Sequence, residues 1–167
     1  ETIALHNLFN KYLFEVTMDV HEYWPFGEES KKYGYVRKFD ETIGAMTNIN
    51  ISEKLRELSY QEYLPFIFKY ISEKGFSVFH YVPGGPPDID YIRYSTFDIN
   101  DGRQSFGIQN SFSFIQEGLN GQNYSTDNIE RRAKGQMVGM RGLLEFAYNH
   151  NDEIKSLVKT EREKLVS

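Results

Sequence analysis

Val16-Thr17-Met18-Asp19-Val20-His21-Glu22-Tyr23 decides how this chain is read. The run is apolar at its start and reads as a buried β-strand whose last residues carry Asp19, His21 and Glu22 to a sheet edge. Side chains alternate along a strand, so Asp19 and His21 share one face and Val20 and Glu22 the other. Neutral imidazole is a common metal ligand, and a carboxylate beside it fixes its tautomer. His21 is therefore a candidate metal ligand, although a short run of this kind also serves as an ordinary strand end.

A second stretch lies far downstream: Gly107-Ile108-Gln109-Asn110-Ser111-Phe112-Ser113-Phe114-Ile115-Gln116-Glu117-Gly118. It too reads as a buried strand, and it closes on a carboxylate followed by glycine. Two apolar strands that each end in an ionisable group predict a site at the C-terminal edge of an α/β sheet, where such folds bind ligands.

Together the two stretches resemble the C-terminal half of the zinc carboxypeptidase family. In that family an apolar-Asp-apolar-His strand carries the last zinc-ligand histidine. A later strand of Ser-Phe-x-Phe character carries the glutamate that activates the zinc-bound water. Asp19-Val20-His21 corresponds to the first motif, and Ser111-Phe112-Ser113-Phe114 followed by Glu117 to the second, looser one. The resemblance implies zinc as cofactor, a peptide substrate, His21 as a zinc ligand and Glu117 as the general base. It also implies a mobile tyrosine that binds the substrate carboxylate, for which Tyr91 and Tyr94 lie in the right region. Arg103, after the turn Asn100-Asp101-Gly102, offers a guanidinium that would pair bidentately with the same carboxylate. A secreted or periplasmic location follows from the family alone.

One departure matters. The family's first two zinc ligands form a His-x-x-Glu motif upstream of the last histidine. Nothing before His21 has that pattern, since His6 is followed by Asn7-Leu8-Phe9. The family's substrate-binding arginines are missing upstream as well. The chain also opens on Glu1 rather than Met. The expectation is a C-terminal piece of a larger catalytic domain, residues 1–167 forming a single domain whose partner is the missing N-terminal part. Such a piece is expected to be inactive alone, because catalytic zinc needs three protein ligands. Exposed sheet edges and apolar surface would favour homo-oligomers. The expected fold is α/β, a three-layer α/β/α arrangement with a mixed, mostly parallel sheet. Two rival readings stand beside it: a zinc-dependent deacylase of the same fold, and a non-catalytic interaction module that lost the metal.

Composition narrows the classes. The 167 residues are enough for one domain with a modest core. A net charge of −5 argues against nucleic acid as the main partner. No run of about eighteen apolar residues exists to span a membrane as a helix. With no cysteine, disulfides and thiolate metal sites are excluded. The 13 Phe and 12 Tyr give an aromatic-rich chain, fit for a groove or a covered surface.

Along the chain, residues 1–11 have helical spacing. Tyr23-Trp24-Pro25-Phe26-Gly27 reads as a loop whose aromatics could line a pocket. Residues 33–37 read as a short strand. Ser59, with Glu62 three residues on, looks like a capping box opening an amphipathic helix to Lys74, with Pro65 kinking it or ending its first turn and Gly75 as its C-terminal stop. Phe76 to Val82 reads as a strand, and His80 in it as structural. Gly102 is expected to supply a positive φ. Asp127 is the expected cap of a long helix to Asn149, with Gly135, Gly139 and Gly142 near one face for close packing. A last helix begins at Asn151, with Ile154, Leu157 and Val158 on its apolar face.

Overall fold

The computed structural model describes residues 2–23, 32, 38–84, 97–120 and 126–167. Trp24 and Phe26, the strand expected at 33–37, and Tyr91 and Tyr94 fall outside these residues.

In chain order the elements are α1 (Thr2–Tyr12), β1 (Val16–Tyr23), β2 (Glu41–Ala45), α2 (Glu53–Leu58), a π-helical turn (Ser59–Tyr63), α3 (Leu64–Glu73), β3 (Val78–His80), α4 (Gly102–Gly107), β4 (Phe112–Leu119), α5 (Ile129–Asn149) and α6 (Asn151–Glu163). Among the described residues the sheet has four strands in the order β1-β4-β2-β3. β1 and β4 are parallel, as are β2 and β3, while β2 runs antiparallel to β4. The sheet is thus mixed and mostly parallel, as expected. Helices flank it in an α/β/α arrangement.

The two faces follow from strand parity. Ile43, Ala45, Phe112 and Phe114 point into the core, with Tyr63, Ile67 and Ile71 of the helical segment before β3 and Leu143 and Phe146 of α5. Tyr63 sits at its centre, its ring centroid 5.5, 4.9 and 3.8 Å from those of Phe112, Phe114 and Phe146. Burial of these aliphatic and aromatic groups is the main stabilising contribution. α4 lies on the opposite face, and α1 packs on it through Phe9 and Phe106, whose rings stack at 4.7 Å.

Ser59 is not a cap. Helix runs through it, and its buried Oγ donates to Leu55 O at 2.7 Å. The Leu64 N–H reaches back to Ser59 O, a five-residue step. Pro65 follows at once; having no N–H, it could not continue the regular ladder, so the wide turn sits where a bond is lost anyway. Gly75 ends the helix at φ +83°, as its spacing predicts. The strand expected from Gly107 begins only at Phe112, because residues 102–107 are helical. α5 starts one residue later than expected, with Asn128 as the residue before it in the left-handed region at φ 53°. His80 contacts Phe68 edge-on at 4.7 Å, and burial lowers its proton affinity. It is a packing residue.

Candidate functional site

β1 and β4 are parallel neighbours, so their C-terminal ends emerge at one edge of the sheet. In their register His21 lies opposite Glu117, Asp19 opposite Ile115 and Thr17 opposite Ser113. Thr17 Oγ1 donates to Ser113 Oγ at 2.8 Å, so the odd-numbered residues of both strands share one face. His21 and Glu117, 96 positions apart in the chain, are therefore brought side by side on the face opposite α5. Thr42 of β2, opposite Glu117 on its other side, donates through Oγ1 to the Glu117 carbonyl at 3.3 Å.

Asp19 completes this end of the strand. Its Oδ1 lies 2.9 Å from His21 Nε2, with about half of the imidazole exposed. A carboxylate on Nε2 holds the proton there and leaves the Nδ1 lone pair for another partner. Gly102 is what lets Asp19 sit there, since a Cβ at 102 would be 3.0 Å from Asp19 Oδ2. The expected positive φ at Gly102 is not found. Instead Asp101 caps α4, its Oδ1 accepting from the Arg103 N–H at 2.9 Å.

Arg103 is fully buried. Its Nη2 donates to Asp101 Oδ2 at 2.7 Å, and its guanidinium lies 5.0 Å from the Tyr81 ring centroid. It passes beneath Gly44, where a Cβ would be 2.7 Å from Arg103 Nη1 and 2.9 Å from Tyr81 Cβ. Gly44 pairs with Ile115, so Arg103 lies on the same sheet face as His21 and Glu117. Its guanidinium lies away from solvent, bonded to Asp101 and facing the aromatic ring.

On the α5 side of the edge lies a cavity of about 210 Å³ lined by Lys38, Asp40, Asn120, Asp127, Arg131 and Arg132, among others. Its charges are largely paired. Arg131 donates to Asp40 at 2.7 and 2.9 Å, and Arg132 reaches Glu22 Oε2 at 2.7 Å. Burial alone would raise the Asp40 pKa, but hydrogen bonds from Arg131 and Ser77 outweigh it and hold the carboxyl below its usual range. Its neighbour Glu41 behaves oppositely. It is fully buried, and burial pushes its pKa up to about 8 despite a hydrogen bond from Gln116. Sequence reasoning passed over Glu41, Gln116 and Gln136; Gly135 and Gly139 of α5, which press on Glu41 and Gln116, and Gly118, which faces Gln136, were its available signal.

Among the described residues no group of three or more His, Asp and Glu side chains is placed to hold a metal ion. His21 fits one position of a three-ligand zinc site, and these residues do not make a whole one.

No family model and no solved structure matches the chain. Carboxypeptidase 2 of Trichophyton rubrum is 24% identical over 161 residues, covering 95% of this chain and 30% of that protein. Carboxypeptidase 2 of Trichophyton equinum and the probable carboxypeptidase 2 of Arthroderma benhamiae are each 22% identical over the same span. The chain thus spans about 30% of the length of the curated relatives it matches. At this identity the likeness supports a distant, carboxypeptidase-like relationship.

Proposed function

We propose that this chain is the His21–Glu117 portion of a zinc metallocarboxypeptidase, which hydrolyses the C-terminal peptide bond of its substrate. One observation carries the reading: a histidine and a glutamate from distant segments meet in register at the C-terminal edge of two parallel strands. Likeness to fungal proteins named carboxypeptidase 2 over nearly the whole chain supports it. In this reading His21 offers its Nδ1 lone pair to the metal, and Asp19 holds the ring through Nε2. Glu117 accepts the proton of the attacking water and returns it to the leaving amine. In this reading the other ligands come from a His-x-x-Glu segment outside residues 1–167, so residues 1–167 alone are inactive. Tyr91 and Tyr94 remain proposed substrate contacts. Arg103 is buried with its Nη2 on Asp101, and its pairing with a substrate carboxylate stays a proposal beside those contacts.

The test is metal analysis and peptide cleavage by the full-length protein. One zinc per chain, lost in His21→Ala, is expected. Glu117→Gln should keep the zinc and lower kcat by roughly 10²–10⁴-fold. A full-length protein with neither zinc nor cleavage would replace this reading with the non-catalytic interaction module.

A further inference from the structure

We infer that Gln136 of α5 is a positioning residue for the His21–Glu117 pair, holding the ends of both site strands from behind the sheet. The inference rests on reading that pair as a carboxypeptidase site. Gln136 lies on the face opposite the His21 and Glu117 side chains, so it acts through the backbone and through a neighbouring residue. Its Nε2 donates to the His21 carbonyl at 2.6 Å. Its Oε1 accepts from Gln116 Nε2 at 3.1 Å, and its main-chain carbonyl lies 3.2 Å from the same nitrogen. Gln116 immediately precedes Glu117. One side chain thus grips β1 at His21 and β4 next to Glu117.

The direction of these bonds is determined. A carbonyl can only accept, so Gln136 must turn its NH2 to His21 and its oxygen to Gln116. Gln116 then uses its own NH2, whose nitrogen also donates to Glu41 Oε2 at 2.8 Å. The chain ends on a carboxyl with no solvent exposure. An amide in the middle of such a chain has one orientation and resists rotation.

Backbone room for this grip is built in. A Cβ at position 118 would lie 2.6 Å from Gln136 Nε2, so Gly118 is what lets the amide reach the strand. Gly139, one turn along α5, gives way to the Gln116 amide in the same manner. Helix-to-sheet packing alone would be met by apolar side chains at these positions. Two glycines making way for two amides indicate that the polar contact itself is what the packing accommodates.

The experiment labels the histidines of the full chain with ¹³C and ¹⁵N and assigns His21 by its loss in His21→Asn. At one fixed pH, Gln136→Met should shift the His21 carbonyl ¹³C and ring ¹⁵N signals. Gln136→Glu, which keeps an acceptor for Gln116 but has no donor for His21, should do the same. Lys134→Ala on the same helix should leave them in place. In the full-length enzyme Gln136→Met should lower kcat about tenfold with little change in KM. Unmoved His21 signals in both Gln136 variants, or a lowered melting temperature with kcat intact, would overturn the inference. If the wild-type protein cleaves no peptide, the carboxypeptidase reading fails, and the His21 signals still decide whether Gln136 holds that residue.

Discussion

Gly139 of α5 stands directly against Gln116 of β4: a Cβ at 139 would overlap the Oε1, Cδ and Nε2 of that amide. Alanine is the better helix former by about 1 kcal/mol, which favours substitution. Against this, Gln116 is buried and tied to Glu41 and Gln136, so it has nowhere to go. Overpacking of this kind costs about 1–3 kcal/mol, and it should win. Gly139→Ala is therefore expected to lower the urea midpoint. Gly142→Ala meets only the edge of the Tyr70 ring at 3.1 Å and should lie much nearer neutral. Equal midpoints for the two variants would show that the amide yields as easily as the ring.

Glu41 should give the protein a stability that falls as pH rises. Burial raises its pKa in the fold from 4.5 to about 8, with nearby Asp40 and Glu22 adding to the rise and the Gln116 hydrogen bond opposing it. The folded state therefore holds a proton that the unfolded chain releases. Stability is fully present below about pH 4.5 and is lost progressively up to about pH 8. The shift corresponds to a loss on the order of 5 kcal/mol. Glu41→Gln keeps the shape and removes the ionisation, so urea unfolding should show a smaller decline between pH 5 and 8.5 than in the wild type. A slope unchanged by Glu41→Gln would place the proton elsewhere.

Arg162 of α6 should matter more than its position near the chain's end implies. It donates to Leu13 O at 2.8 Å, Phe14 O at 2.9 Å, Gln109 O at 3.1 Å and Ser111 Oγ at 2.6 Å. These atoms lie in the linkers entering β1 and β4, where Leu13 and Asn110 take left-handed φ values of 49° and 52°. Such backbone costs about 1 kcal/mol or more per residue and persists only where it is held. Arg162→Met should cost about 2–3 kcal/mol and speed amide exchange at Phe112, whose N–H bonds to Glu15 O. Arg162→Lys, with one compact ammonium, should recover less than half of that.

Arg103→Met tests where a buried cation is used. Removing it strands Asp101 and opens space under Gly44 and Tyr81, and breaking such a pair costs about 3–5 kcal/mol. A marked loss of thermal stability is expected. A variant with wild-type stability and weaker substrate binding would instead give Arg103 the role of carboxylate clamp.

The parity of β1 was legible because a strand has only two faces: Asp19 and His21 share one, and Glu22 on the other meets Arg132 of α5. The α5 glycines were legible as contacts because they cost helix propensity without being a stop signal. The pairing of His21 with Glu117 needed the fold, since register between distant strands depends on everything that packs between them. The helix at Gly102 read as a turn because Asp-Gly suits a turn and a helix start equally well; the Asp101 cap on the Arg103 N–H marks the helix start. Ser59 looked like a cap because Ser-x-x-Glu is a local pattern, blind to the helix already running before it.

The π-helical turn at Ser59–Tyr63 has a consequence for how the segment from Glu53 to Glu73 rolls on the sheet. Each α-helical residue advances about 100° around the axis. An unbroken α-helix would set Leu55 and Ile71 about 160° apart, on nearly opposite sides. One extra residue in the wide turn winds the second half back by about 100°, and both side chains end fully buried. The turn works as a gear tooth: it rephases two short amphipathic stripes into one. Removing a single residue there, such as exposed Gln61, would rotate Ile67 and Ile71 out of the core while leaving every hydrophobic residue of the segment in place.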